Sequence, residues 1–154
     1  MQVLIGLHGL IRWAVLILGI WIIARAISGL NNKSTFTTAD DKRSLFFMIS
    51  CDVQFLIGLI LYFTGPYFAM LKANPSMVMK TASIRFFAVE HITMMLLAWI
   101  LVHIGRSAVK KTATDQAKHK KALILFGIAM LIILASIPWP FREEIARPLF
   151  PAMN

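Results

Sequence analysis

The stretch LIGLHGLIRWAVLILGIWIIARAIS, residues 4–28, decides the fold class. A bilayer core about 30 Å thick is crossed by roughly 20 apolar residues in an α-helix. Three further runs of this kind follow, and none shows the alternation of period two that marks a membrane β-strand. The sequence therefore predicts an all-α integral membrane protein with four spans, at about residues 4–28, 44–64, 84–105 and 122–139.

Composition supports the same class. The chain has 154 residues, of which 58% are hydrophobic and 15% charged, and its mean hydropathy is +0.74. A small soluble core could not bury so much apolar surface. The single cysteine, Cys51, excludes an internal disulfide and a cysteine-based metal cluster. The first run lacks the basic flank of a signal peptide, so we expect a retained span.

The net charge of +9 would suggest a nucleic-acid partner in a soluble protein. Here the basic residues flank the spans, so they indicate topology and contact with the lipid bilayer, and no nucleic-acid partner is expected. Fewer basic residues surround the second loop and the tail than surround the first and third loops. The larger group contains Arg25, Lys33, Lys42, Arg43, Arg106, Lys110, Lys111, Lys118, Lys120 and Lys121.

This asymmetry predicts that loops one and three face the cytoplasm and that both termini face the outer, periplasmic side. Short connections favour an up-down-up-down four-helix bundle. The prediction is a single domain over residues 1–154, without repeats or linkers.

Polar groups at membrane depth are costly unless they are paired, so each needs an explanation. His8 on the first span and His91 on the third lie at about the same depth, roughly 10 Å from the outer boundary at 1.5 Å per residue. Two imidazoles on facing helices are the axial ligands of a six-coordinate b-type haem. Gly6 and Gly9 beside His8 would leave room for a porphyrin edge, and Phe86, Phe87 and Trp13 could wall the ring. A hydrogen bond between two neutral histidines is the alternative.

Arginines accompany this pair. Arg12 lies one turn below His8, and we expect it to pair with Asp52 or Glu90, either as a structural ion pair or in proton or quinone chemistry. Arg85 and Arg142 lie near the predicted outer mouth. With haem present they are the expected partners of its propionates, and without haem they are interfacial side chains.

The other histidines do not extend the site. His103 has no counterpart for a second haem and is expected at the cytoplasmic interface, while His119 is expected in a solvated loop. His91, Met94 and Met95 share one helix face and could bind Cu(I) together with His8. Methionine pairs in so apolar a chain more often serve packing, so the copper hypothesis ranks below the haem hypothesis.

Four motifs resemble those of a family of small bacterial four-helix membrane proteins catalogued as cytochrome b-like. They are Leu7–Trp13 (LHGLIRW), Gln54–Leu59 (QFLIGL), Arg85–His91 (RFFAVEH, with Met94-Met95 after it) and Ile137–Arg142 (IPWPFR). The resemblance covers nearly the whole chain and implies that His8 and His91 ligate haem. The family pattern admits a histidine just before Gln54, where this chain has Asp52-Val53, so no ligand role passes to the second span.

The leading hypothesis is a membrane b-type cytochrome with one haem between His8 and His91, in the inner (plasma) membrane of a bacterium. It would pass single electrons, with quinol as a donor and a redox protein at the outer face as a partner, and would not be a stand-alone enzyme. The alternatives are a cofactor-free accessory subunit of a larger membrane complex and a Cu(I)- or proton-handling membrane protein. The sequence leaves a homo- or hetero-oligomer open.

Overall fold

A computed structural model of the chain describes residues 1–150, and this part is α-helical without strands. Short loops separate most of the helices, and a π-helical turn joins α5 to α6 without a break. In chain order the elements are α1 (Gln2–Asn31), α2 (Thr38–Thr64), α3 (Pro66–Ala73), α4 (Pro75–Lys80), α5 (Ala82–Arg85), the π-helical turn (Phe86–Glu90), α6 (His91–Lys110) and α7 (Asp115–Ser136).

Four helical segments are long and apolar enough to cross a membrane, which makes the chain a multi-pass membrane protein. They are Gln2–Asn31, Thr38–Thr64, Ala82–Lys110 and Asp115–Ser136. Each contains the core of one predicted span, so the four-span prediction is confirmed at this level. The last helix ends at Ser136, before the predicted end at Trp139, because Pro138 cannot continue the helical hydrogen-bond ladder.

Capping residues set two helix starts. Thr37 and Asp40 form a capping box at the start of α2, in which the Thr37 backbone N–H donates to Asp40 Oδ2 at 2.9 Å. Thr114 accepts a hydrogen bond from the Ala117 backbone N–H at the start of α7. We call this end of the bundle the basic end, because the ten basic residues around loops one and three lie near it.

The four long helices form a closed set of neighbours. α1 packs against α2 and α7, and α6 also packs against α2 and α7. Phe47 and Phe126 lie fully buried at the centre of the basic half, with ring centres 5.6 Å apart. Gly105 lets α6 approach α7, since a Cβ there would lie 2.8 Å from the Phe126 ring. α1 and α6 consequently face each other diagonally across the bundle.

The opposite end, which we call the Met1 end, is partly covered by α3 and α4. Tyr67 of α3 stacks on Phe87 at 5.0 Å, and Val78 of α4 is fully buried. Each short helix begins with a proline at its first position, where the missing N–H costs no hydrogen bond. The apolar loop between the second and third spans thus folds onto the bundle.

Candidate functional site

A π-helical turn leads directly into His91. Tyr62 of α2 donates a hydrogen bond to the Ala88 carbonyl within this turn at 2.9 Å. A π-turn shifts the register of the residues that follow it, and such turns recur at functional sites. The turn and its tyrosine therefore set the direction in which α6 presents His91 to the bundle.

The end of α7 fixes the His91 ring. His91 Nδ1 lies 2.9 Å from the Ser136 backbone oxygen. Because α7 ends at Ser136, this carbonyl has no partner within its own helix. A carbonyl can only accept, so the proton of the neutral imidazole is on Nδ1 and Nε2 keeps its lone pair.

His8 approaches His91 from the diagonal helix. The two ring centres are 6.4 Å apart and the ring planes are inclined by 69°. Gly58 of α2 makes room for the His8 ring, since a Cβ at this position would lie 3.1 Å from His8 Cε1. Gly6 and Gly9 are buried on the same helix as His8. The structure thus brings together the two histidines singled out in the sequence.

The separation of the rings suits a metal held by both of them. A histidine nitrogen binds a first-row metal at about 2.0 Å and lies about 1.1 Å from its ring centre, so two coaxial imidazoles have centres about 6.2 Å apart. The observed 6.4 Å agrees with this value. The Nδ1 contact of His91 with a backbone carbonyl is also the usual outer partner of a metal-binding histidine. The two residues therefore fit the axial positions of a haem.

Several buried polar atoms beside the histidines have no hydrogen-bond partner within the described chain. They include His8 Nδ1, Trp13 Nε1 and Gln54 Oε1. Buried polar groups are nearly always satisfied in folded proteins, so a cluster of exceptions calls for an explanation such as a polar ligand. Trp13 also stacks on Phe150 with ring centres 5.6 Å apart. Phe86 lies 5.8 Å from the His91 ring, whereas Phe87 turns away toward Tyr67.

Histidine, cysteine and acidic side chains do not gather into a metal site in residues 1–150. No group of three or more histidine, cysteine, aspartate or glutamate side chains there could hold a metal ion. Haem needs only two ligands from the protein, because the porphyrin supplies the other four. Cys51 is buried in the bundle core.

The prediction that Arg12 pairs with Asp52 or Glu90 is wrong, because neither ion pair is formed in the described residues. Arg12 Nη2 donates to the Leu149 backbone oxygen at 2.5 Å. Glu90 instead accepts from Arg85 Nε at 2.7 Å, and Asp52 is bound elsewhere. The tail after α7 returns to α1 and supplies the carbonyl, a long-range contact that helical spacing cannot reveal.

Arg85 and Arg142 both line an open cleft of about 280 Å³ beside the π-helical turn. Arg142 lies 5.0 Å from the centre of the Phe86 ring and donates to the Ala135 carbonyl at 2.8 Å. Glu90 and Glu144 line the same cleft. Arg85 is thus already paired with Glu90, which leaves Arg142 as the better placed of the two for an anionic group.

Sequence reasoning missed a polar cluster between α2 and α6. His103 Nε2 lies 2.8 Å from Asp52 Oδ1, and Trp99 Nε1 donates to the same oxygen at 2.7 Å. His103 is therefore not a simple interfacial residue. Trp99 and His103 lie one turn apart on one helix face, and this spacing is the sequence signal that could have revealed the cluster.

The expected position of His119 is also wrong. α7 begins at Asp115, so His119 lies in its first turns and is only 1% exposed. Its ring packs on Phe36 at 5.1 Å and against Gly29, where a side chain would collide with it. The lysines next to His119 in sequence misled the prediction of a solvated loop, and Lys118 itself lies over the same Phe36 ring at 5.7 Å.

Comparisons with models of protein families, with curated proteins and with solved structures find no match to the chain.

Proposed function

We propose that the chain is a membrane b-type cytochrome that holds one haem between His8 and His91 and transfers single electrons. The observation that carries the proposal is the facing pair of imidazoles on diagonal helices, with ring centres 6.4 Å apart. The hydrogen bond between His91 Nδ1 and the Ser136 carbonyl supports the proposal, because it orients the ring and leaves Nε2 available on the other side.

The chain's own residues have distinct parts in this proposal. His8 and His91 would be the axial ligands, Gly58 would leave space for the His8 ring, and Arg142 would neutralise an anionic edge at the cleft. Haem supplies a one-electron couple whose potential depends on the axial ligands and on the polarity of the surroundings. The apolar bundle excludes water and keeps both imidazoles in place.

The placement in the membrane belongs to the same proposal. The ten basic residues of the basic end favour the cytoplasmic side, in an up-down-up-down bundle with both termini outside. The histidine pair, nearer the Met1 end, would then lie in the outer half of a bacterial inner membrane. Quinol within the bilayer and a redox protein at the outer face are the partners that this position suits.

An absorption spectrum tests the proposal. Protein purified in detergent should show a Soret band and, on reduction, an α-band, with one haem per chain. Replacing either His8 or His91 by alanine should remove the bands, because a six-coordinate b-type haem depends on both axial ligands. His103→Ala and His119→Ala are matched controls, since neither ring contacts the pair, and both should keep the bands.

Retention of full haem in both ligand variants would exclude the proposed site. A colourless and folded protein that copurifies with other membrane subunits would instead favour the cofactor-free accessory subunit. Binding of copper rather than haem would favour the site formed by His91, Met94 and Met95.

A further inference from the structure

The Asp52–His103–Trp99 cluster has binding capacity that the protein does not use. Both of its hydrogen bonds to the carboxylate end on Asp52 Oδ1. No described residue donates to Asp52 Oδ2, and no described residue contacts His103 Nδ1 through a hydrogen bond. His103 Nε2 donates to the carboxylate, so Nδ1 of the neutral imidazole is an acceptor like Asp52 Oδ2, and both are left to meet hydroxyl groups of a ligand.

The cluster lies at membrane depth and is open to the side. The side chains of Asp52 and His103 are 38% and 37% exposed, although Asp52 lies near the middle of α2. The neighbouring Val53 and Leu56 are 41% and 61% exposed, as expected for residues that face lipid tails. Because ionisable groups in contact with hydrocarbon are costly, the position favours a polar ligand that arrives through the bilayer.

Flat aromatic rings line the cluster. Phe55 stacks on Trp99 with ring centres 5.3 Å apart and planes inclined by only 16°. The Trp99 and His103 ring centres are 4.5 Å apart, with planes inclined by 58°. Phe55 and His103 thus both pack on Trp99, and an aromatic ligand at the cluster would gain edge contacts with these rings as well as hydrogen bonds.

We propose that this cluster binds the ring of a lipid-soluble quinone in its reduced, hydroquinone form. One ring hydroxyl donates to Asp52 Oδ2, the second hydroxyl donates to His103 Nδ1, and the ring lies at the edge of the stacked Trp99 and Phe55. This inference rests on the proposed electron-transfer function, since it identifies a donor site for it, but binding at the cluster is measurable without haem.

Fluorescence of Trp99 reports on the site directly. A variant with Trp13, Trp21 and Trp139 replaced by phenylalanine keeps Trp99 as its only tryptophan. Titration with a short-chain 1,4-benzoquinone, kept in its reduced hydroquinone form in detergent, should quench this emission in a saturable way. Asp52→Asn in the same background should weaken the apparent affinity by about tenfold or more, because a charged hydrogen-bond acceptor is lost.

Ser50→Ala is the matched control. Ser50 is also exposed on α2, but its hydroxyl already donates to the Phe46 carbonyl at 2.8 Å. It should bind the quinone as the parent does. Wild-type protein provides a second measurement should the triple variant fail to fold: the quinone should raise its unfolding temperature, and Asp52→Asn should abolish the increase.

Quenching that rises linearly and equally in the parent and in Asp52→Asn, together with no change in the unfolding temperature of the wild type, would reflect partition into detergent only and would overturn the inference. Protein without haem that still binds the quinone saturably would refute the proposed function and leave this site standing. Protein with haem and no saturable binding would do the reverse.

Discussion

Gly58 offers a sharp test of the histidine pair, since it touches His8 without being a ligand. A Cβ at this position would lie 3.1 Å from His8 Cε1, and ordinary contacts begin at 3.4 Å. The imidazole must therefore move by at least about 0.3 Å, while a ligand distance tolerates about 0.2 Å. We expect Gly58→Ala to lower haem affinity by about tenfold, as outer-shell changes at metal sites do. Gly58→Val should lower it further, since its two extra methyl groups extend from a Cβ that is already too close to the His8 ring.

Gly127→Ala is the control for this prediction. A Cβ at Gly127 meets no atom within 4 Å. Both substitutions replace glycine inside a helix, and alanine favours the helix by about 1 kcal/mol at either place. Haem content per chain, from the absorbance of the purified variants, is the measurement. Equal haem content in Gly58→Ala, Gly58→Val and Gly127→Ala would refute the packing of His8 against α2.

Three further predictions concern stability, measured by denaturation in mixed micelles. Asp41→Asn should cost about 2–3 kcal/mol, because Arg106 is only 7% exposed and loses a bidentate carboxylate partner. Thr37→Ala should cost about 1 kcal/mol through loss of the capping box of α2. Tyr62→Phe should cost about 1 kcal/mol and also shift the haem spectrum, because it frees the π-helical turn before His91.

Two of these changes, Asp41→Asn and Tyr62→Phe, have counterparts that should be silent. Asp115→Asn removes an acidic residue in the first turn of α7 that forms no ion pair within residues 1–150, and should change stability by less than about 0.5 kcal/mol. Tyr67→Phe keeps the stacking on Phe87 and should leave the spectrum unchanged. If Asp41→Asn and Asp115→Asn were equally stable, the ion pair of Arg106 would contribute nothing to the fold.

Buried ion pairs at the basic end explain why substitutions of charged residues there should lower the stability of the protein. Asp40 is 4% exposed and lies 3.0 Å from Arg25 Nε and 2.5 Å from Arg43 Nη1. The Arg25–Asp40 pair joins α1 to the start of α2, the Arg43–Asp40 pair lies within α2, and Arg106 joins α6 to the same turn. The basic residues counted for topology thus also hold three helices together.

Hydropathy by itself determined the four spans, because a bilayer demands a minimum length of apolar helix and the chain meets that demand four times. The helical rise placed His8 and His91 at one depth, and their rings lie 6.4 Å apart. Such properties depend on residues close together in the chain, so one-dimensional reasoning reaches them.

Only the tertiary structure decided the partners of the charged residues. Arg12 binds the tail at Leu149, Asp52 binds His103, and His119 is buried against Phe36. Each choice depends on how the helices rotate about their axes and on where a distant segment folds back. Many pairings satisfy the same depths and charges, and their energies differ by only about 1–3 kcal/mol, so the packing of the whole bundle selects among them.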